Sequence, residues 1–463
     1  MKLGTHPMQY VSTRGGVAPI GFKDAILMGL ATDGGLLVPD FVPSVEIHLE
    51  EWIGLSYSEL AFQVIRRFSD DISDEDLARM VAASYSRFDH PSVAPLVDVG
   101  SLSVLELFHG PTLAFKDIAL QFLGELFAHV LSERGQTLNI LGATSGDTGS
   151  AAIEAMRGRP GIRVFIMFPE GRTSPLQELQ MTTVLDPNIF NLAVDGSFDD
   201  CQKLLKSVFG DLSFKDQWSL GAVNSVNWAR VLAQVVYYFW SWYQLKCPAS
   251  FDVTVPTGNF GNIFAGFLAK KMGLPLGQLN LATNDNDILA RFFQSGVYQR
   301  GQVHFSLSPA MDIQVASNFE RYLYYQLAED PVSVKSFMTR FQGEGDATLS
   351  TQEGNFNWFN AGSVSDNETV EMIRRLHEAH GYLADPHTAV GIALAEKSQR
   401  QGVPMVSLAT AHPAKFVDAV SRALPGVDNV HPVLRGLATK ETRKYSMIAD
   451  EASLKSFIES ACD

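Results

Sequence analysis

Lys116 is the one lysine in the segment His109–Gly-Pro-Thr-Leu-Ala-Phe-Lys-Asp117, behind Gly110 and Pro111 and flanked by Ala114 and Phe115. Ile118, Phe122, Leu126 and Val130 follow at helical spacing, so the lysine stands at the mouth of an apolar helix over residues 118–131. An amine placed there is partly desolvated, which lowers its pKa and frees it to attack a carbonyl. A lysine in a helix's first turn is also a common surface group. Three polar loops elsewhere in the chain make the chemical reading the stronger one.

Thr257–Gly-Asn-Phe-Gly-Asn262 follows an apolar run. Its glycines permit positive φ, so consecutive backbone N–H groups can turn inward as an anion nest backed by a helix dipole. The same glycines would equally serve a tight packing turn. No Gly-Lys-Ser/Thr follows, so this is not a Walker A loop. Thr144–Ser-Gly-Asp-Thr-Gly149 offers three hydroxyls and a carboxylate at a helix start. One helix needs one cap, so the surplus favours recognition of a carboxylate or phosphate. Thr410–Ala-His-Pro-Ala-Lys-Phe416 ends a third apolar run, and Asp385–Pro-His-Thr-Ala389 resembles it in carrying a histidine at a helix start. His412 and His387 are open to reading as acid–base groups or as caps. The chain has no metal-ligand spacing of histidines or carboxylates and no Gly-x-Ser-x-Gly elbow, so neither a metal centre nor a serine hydrolase is expected.

Each loop sits between a predicted strand and a predicted helix. Residues 138–143, 149–157 and 162–168 read as β-α-β, as do 251–255, 262–271 and 279–282. Strand 403–409 leads to a helix opened by Pro413. Such units imply parallel sheets, whose ligands bind beyond the carboxyl ends of the strands. Residues 1 to about 95 alternate helical patterns with Gly/Pro turns, and 342–367, rich in Gly, Asn, Thr and Ser, reads as a long loop and candidate lid or partner surface.

At 463 residues, 46% hydrophobic and 19% charged, the chain suits a globular enzyme of two domains. Its 36 basic and 51 acidic residues leave a net charge of −15 without a basic run, which argues against nucleic acid. Three cysteines, Cys201, Cys247 and Cys462, lack paired spacing and point to a reducing compartment. The N-terminus lacks a signal-peptide core, and the most apolar stretch, 231–242, is too short to span a bilayer. A cytoplasmic protein is expected.

In order along the chain, these segments resemble the threonine synthases, pyridoxal-phosphate (PLP) enzymes with the tryptophan-synthase-β fold. The likeness rests on Tyr10–Val-Ser-Thr-Arg-Gly15, Phe108–Asp117, Thr144–Gly149, Pro169–Glu-Gly-Arg-Thr-Ser174 with Gln180–Met-Thr-Thr183, Asn224–Ser-Val-Asn-Trp-Ala-Arg230, Pro256–Asn262, Asp385–Ala389 and Thr410–Phe416. It implies an α/β protein of PLP fold type II, with two open, mostly parallel α/β sheet domains. The expected units are an N-terminal subdomain over 1–95, a large PLP-binding domain over 96–125 and 221–463, and a small domain over 126–220.

By the same resemblance, Lys116 carries pyridoxal 5'-phosphate covalently, and Gly258, Asn259, Phe260, Gly261 and Asn262 hold its phosphate through backbone amides. Thr410 faces the pyridine nitrogen. Thr144, Ser145, Asp147 and Thr148 receive the substrate α-carboxylate, with Thr148 and Asn259 at the substrate phosphate and Arg172 a further candidate there. Asp147 departs from the Asn of many relatives of this fold, and a carboxylate beside a substrate carboxylate repels it unless protonated or turned to an N–H. The implied reaction converts O-phospho-L-homoserine and water to L-threonine and phosphate, the last step of threonine biosynthesis. A phospholyase releasing 2-oxobutyrate, ammonia and phosphate would share nearly every residue. A monomer or small homo-oligomer is expected, with a small-molecule substrate and neither membrane nor nucleic acid as partner.

Overall fold

A computed structural model describes residues 7–144, 146–350 and 356–462. The apolar runs become the central strands of two sheets, built from β1 (Leu96–Val99), β2 (Leu102–Glu106), β3 (Leu138–Ala143), β4 (Ile162–Pro169), β5 (Ile189–Asp195), β6 (Leu220–Gly221), β7 (Phe251–Pro256), β8 (Leu276–Thr283), β9 (Phe359–Ser363), β10 (Met405–Ala409) and β11 (Tyr445–Ile448). The larger sheet has the order β9-β8-β7-β10-β2-β1 and is parallel except at the β1 edge. The smaller, β11-β5-β4-β3-β6, is parallel throughout. Every residue of β7 and β10 is buried, as expected of parallel strands covered on both faces. Asp252 is tolerated inside β7 because Arg400 grips both its oxygens, at 2.7 and 2.6 Å.

Sheet order places the chemistry. β7, β10 and β2 are neighbours, so the loops leaving their carboxyl ends, 257–262, 410–416 and 107–116, lie side by side. The loop after β3 reaches them from the smaller sheet. Helices α1 (Lys116–Arg134), α2 (Asp147–Met156), α3 (Trp228–Gln244), α4 (Gly261–Lys271) and α5 (Pro386–Ser398) each begin at or beside one of these loops or motifs. α1 buries most of its length and stops at Gly135 in the left-handed conformation. α3 is capped by Asn227, whose side chain accepts from Ala229 N–H, and no helix among the described residues is long and apolar enough to cross a membrane.

Two segments depart from the sequence reading. Within 342–367, Asp346–Thr348 pairs with Val297–Gln299 and β9 adds a parallel edge strand to β8, so much of the expected loop is sheet; residues 351–355 lie outside the described residues. β9 reads Phe-Asn-Ala-Gly-Ser, too polar to announce a strand. Its anchors are tertiary: Phe359 stacks on Phe293 at 4.5 Å, and Asn360 Nδ2 donates to Asn280 Oδ1 at 2.9 Å. The C-terminal residues, which the sequence reading grouped with the larger sheet, pack on the smaller one. β11 runs parallel to β5, and Leu454 and Ile458 of the last helix join Leu192, Val194 and Cys201 in its core. Pro413 opens a single 3-10 turn, and the helix proper begins at Val417.

α1 and α2 approach closely at Gly124, where a Cβ would collide with the Ala155 carbonyl and sit 3.0 Å from Arg159 Nε. Gly124→Val is therefore expected to lower unfolding stability by about 1–3 kcal/mol through overpacking. An unchanged urea midpoint would show that the helices can separate without cost.

Candidate active site

Lys116 opens α1, and the turn before it is held by the turn after β10. Phe115 N–H donates to Thr410 O at 2.8 Å, His412 N–H to Leu113 O at 3.0 Å, and Ala114 and Ala411 form an antiparallel bridge. Leu113 takes φ +62° inside this clamp. Behind it, Thr112 donates its N–H and hydroxyl to Asp117, both at 2.8 Å, and burial pushes the Asp117 carboxyl up to about 6. The Lys116 side chain is only 12% exposed. Burial lowers its pKa first; Asp147 opposes the shift, while Lys415 and Arg230 add to it. The result is an amine more readily neutral, and so nucleophilic, than a surface lysine.

The loop after β7 has the geometry of an anion cradle. Phe260 sits in the left-handed region at φ +64° as N-cap of α4, and no side chain caps that helix, so its first N–H groups retain no side-chain acceptor. A Cβ on Gly258 would lie 2.5 Å from Ala310 O, so only glycine lets the chain pass there. Asn259 O accepts the N–H of Asn318 at 3.0 Å and its side-chain amide at 3.2 Å, and Asn259 Oδ1 accepts from Ser317. Asn318 is held in turn by buried Arg321, which also reaches Leu37 O and Val226 O. The N-terminal motif thereby acquires a purpose: Thr13 and Arg14 bind Glu320, next to Arg321. The Phe260 ring packs among Phe293, Phe319 and Phe359, so only its backbone faces the cradle.

Two unfilled donor sets adjoin this loop and Lys116. Asn262 Oδ1 accepts from Tyr237 at 2.5 Å and Tyr238 at 3.1 Å, while its Nδ2 is buried with no partner. Arg230, from the first turn of α3, is buried with Nε and Nη1 unpartnered. Burial lowers its pKa to about 10, yet it is still a cation at neutral pH. Buried donors without acceptors are costly, and an anionic ligand satisfies them. Arg230 lies in the segment Asn224–Arg230 but was not singled out from sequence; a lone arginine in the apolar run Trp228–Ala-Arg-Val-Leu was the available signal.

Asp147, at the start of α2, answers the question of repulsion. Its Oδ1 accepts from Lys415 Nζ at 2.8 Å and Gln177 Nε2 at 2.9 Å, and Oδ2 lies 3.6 Å from Lys116 Nζ. Burial alone would raise its pKa, but Lys415 and then Lys116 hold the carboxyl well below the usual range. It is an ionised counter-charge. The Thr144 hydroxyl accepts from the N–H groups of Gly146 and Gly149, both at 3.0 Å, and so shapes the loop. Thr148 is half-buried in the first turn of α2. Ser145 lies outside the described residues. Arg172 is exposed in a turn closed onto Pro169 O, whereas Arg230 is the arginine beside Lys116.

A buried relay joins the turn at Thr410 to the segment that covers Gly258. Thr410 N–H donates to Thr388 Oγ1 at 3.2 Å, and the Thr388 hydroxyl donates to Asp385. Asp385 Oδ1 also accepts from His387 Nδ1 at 2.8 Å, and His387 Nε2 accepts from Ala310 N–H at 3.2 Å, in the segment that covers Gly258. His387 is thus a buried strut. His412 is a cap whose Nδ1 accepts from Ala414 N–H, and burial lowers it to about 4. With the Thr410 backbone bonded in both directions, its hydroxyl is the group left to meet a ligand. Among the described residues there is no group of three metal-ligating side chains.

Thr388→Val removes the acceptor of Thr410 N–H and the donor to Asp385. It should cost about 1–3 kcal/mol of local stability and speed loss of bound PLP on dialysis. Retention of the visible cofactor band equal to the parent protein would show that the relay does not position the site.

Comparison with known proteins identifies the family. Family models match over nearly the whole chain: threonine synthase N terminus at residues 9–85, pyridoxal-phosphate dependent enzyme at 88–340, and threonine synthase C-terminal at 388–458. Threonine synthase of Pseudomonas aeruginosa is 46% identical over 463 residues, covering 97% of this chain and 98% of that protein. The crystal structure of PLP-bound threonine synthase from Brucella melitensis superposes with a TM-score of 0.95 at 45% identity, over 98% of this chain and 99% of the other. That of the yeast threonine synthase gives 0.93 at 42% identity, over 98% of each chain. The chain belongs to the threonine synthase family of pyridoxal-phosphate-dependent enzymes.

Proposed function

We propose that this chain converts O-phospho-L-homoserine and water to L-threonine and phosphate, with Lys116 as the amine that holds pyridoxal 5'-phosphate. The observation that carries the reading is the nearly buried Lys116 amine, supported by the uncapped, glycine-lined N-terminus of α4 and by buried Arg230, whose Nε and Nη1 have no partner. The Gly258–Asn262 main chain suits the cofactor phosphate, and Asn262 Nδ2 supplies a further donor. Thr410 presents a neutral hydroxyl, not a carboxylate, for the pyridine nitrogen, which leaves that nitrogen largely unprotonated. When bound, the cofactor supplies the electron sink that makes protons at substrate Cα and Cβ removable.

Lys116, freed when the substrate amine takes its place, is the group positioned to move those protons. Two anionic ends of the substrate need separate donors. The α-carboxylate fits the loop over Thr144, Ser145, Asp147 and Thr148, where backbone N–H groups and the α2 dipole outweigh a carboxylate already paired with Lys415. The substrate phosphate fits Thr148, the Asn259 side chain and, above all, Arg230. Arg172, on its exposed turn, is the less favoured alternative. We treat residues 1–95, the larger sheet and the smaller sheet with residues 445–462 as three units, and propose that closure of the two sheets shields the substrate from water.

The reading extends to a cytoplasmic monomer or small homo-oligomer that binds neither membrane nor nucleic acid. A net charge of −15 without a basic run supports it. The decisive assay gives purified protein PLP and O-phosphohomoserine; threonine and phosphate should appear in equal amounts. Accumulation of 2-oxobutyrate and ammonia without threonine would establish the phospholyase instead. Lys116→Ala should abolish both turnover and the visible band of bound cofactor.

Arg230→Met should lower kcat/KM by about two orders of magnitude, the equivalent of ~3 kcal/mol of charge-assisted hydrogen bonding. An effect no larger than that of Arg172→Met would remove Arg230 from the phosphate site.

A further inference from the structure

Two lysines share one carboxylate in this site, and they share it unequally. Lys415 is fully buried; its Nζ lies 2.8 Å from Asp147 Oδ1 and donates to Thr112 O at 2.7 Å. Lys116 reaches only the other oxygen, at 3.6 Å. Gln177 adds a second bond to the oxygen that Lys415 holds. Lys415 therefore ties together the turn after β10, the loop that precedes Lys116 and the first turn of α2. Burying an ammonium is expensive even when it is paired, and an apolar side chain would fill the same space with less penalty. The geometry indicates a use beyond packing.

We infer that Lys415 is a positioning residue for Lys116: by occupying the near oxygen of Asp147, it prevents a closed Asp147–Lys116 ion pair and leaves the Lys116 amine loosely held. The inference rests on Lys116 being the cofactor lysine. A free lysine 2.8 Å from a buried carboxylate would be kept as ammonium, which can neither attack the cofactor aldehyde nor accept a substrate proton. At 3.6 Å, and with a competing cation on the same carboxylate, the hold is weaker. The charged groups facing Lys116 are Asp147 from α2, Lys415 from the turn after β10 and Arg230 from α3. Asp117, on the helix of Lys116 itself, faces Thr112 and is influenced by Lys415. Asp147 favours the ammonium form, while Lys415 and Arg230 disfavour it, so deleting Lys415 and deleting Asp147 have opposite effects.

That opposition supplies the test. The full-length chain is stripped of cofactor and mixed with PLP across a pH series, and the rate at which the visible band of lysine-bound cofactor appears is followed. Lys415→Met should move the midpoint of the rate profile up by about one pH unit, so that recombination is about tenfold slower well below the parent midpoint. Asp147→Asn should move the midpoint down. Lys415→Arg, which keeps the charge, should stay near the parent value. Lys415→Gln serves where the Met variant does not fold, since its amide can still donate to Thr112 O. Borohydride trapping and peptide mapping of each variant separate the two levels of the argument. Cofactor found on another lysine would overturn the Lys116 reading. Cofactor on Lys116 with midpoints unmoved, or moved in the same direction by Lys415→Met and Asp147→Asn, would overturn the role of Lys415 alone.

Discussion

The antiparallel contact between residues 113–115 and 410–412 is the constraint from which the site follows. It joins the turn that presents Lys116 to the turn that presents Thr410 through two main-chain hydrogen bonds, which together form one antiparallel bridge. Main-chain bonds of this kind do not depend on side-chain rotamers, so the spacing of the amine and the hydroxyl is set by backbone geometry. The positive φ of Leu113 carries a strain of about 1–3 kcal/mol, which persists only because its surroundings determine it. Adjacent strands make the contact possible: β2 and β10 are neighbours in the larger sheet, so their exit loops cannot avoid each other.

Around that clamp the electrostatics run against the chain as a whole. The protein carries a net charge of −15, yet Lys116 and Lys415 share a single carboxylate, Asp147, and the charge of buried Arg230 acts on Lys116 as well. A local excess of cations in a buried setting attracts anions more strongly than surface lysines would, because less water screens them. An enzyme whose cofactor and substrate both carry phosphate needs such a locus. The pairing of Asp147 with Lys415 also neutralises one oxygen of the one carboxylate in this cluster.

Support for the cradle is layered. Asn259 is held by Asn318, Asn318 by Arg321, and Arg321 by carbonyls from the N-terminal unit and the start of α3. Asp385 and His387 brace the opposite side through Thr388 and the Ala310 N–H. Segments distant in sequence thus act on one loop, which accounts for motifs as far apart as Thr13–Arg14 and Asp385–Thr388.

The strand–loop–helix units at 138–157, 251–271 and 403–416 were legible from local pattern, because buried parallel strands are apolar runs and glycine-rich turns mark their ends. Lys116 and the 257–262 loop stood out from the same local pattern, whereas Thr410 was suggested by the family resemblance alone. Residues whose work depends on distant partners were not legible. Lys415 and Asp147 belong to different sheets, Arg230 stands out because its buried Nε and Nη1 have no partner, and β9 and β11 are strands by virtue of neighbours already in place. Periodicity and turn chemistry are short-range properties that the chain carries in itself. Counter-ion choice, burial of a charge and membership of a sheet depend on which surfaces meet after folding, and for this protein only the tertiary structure decided them.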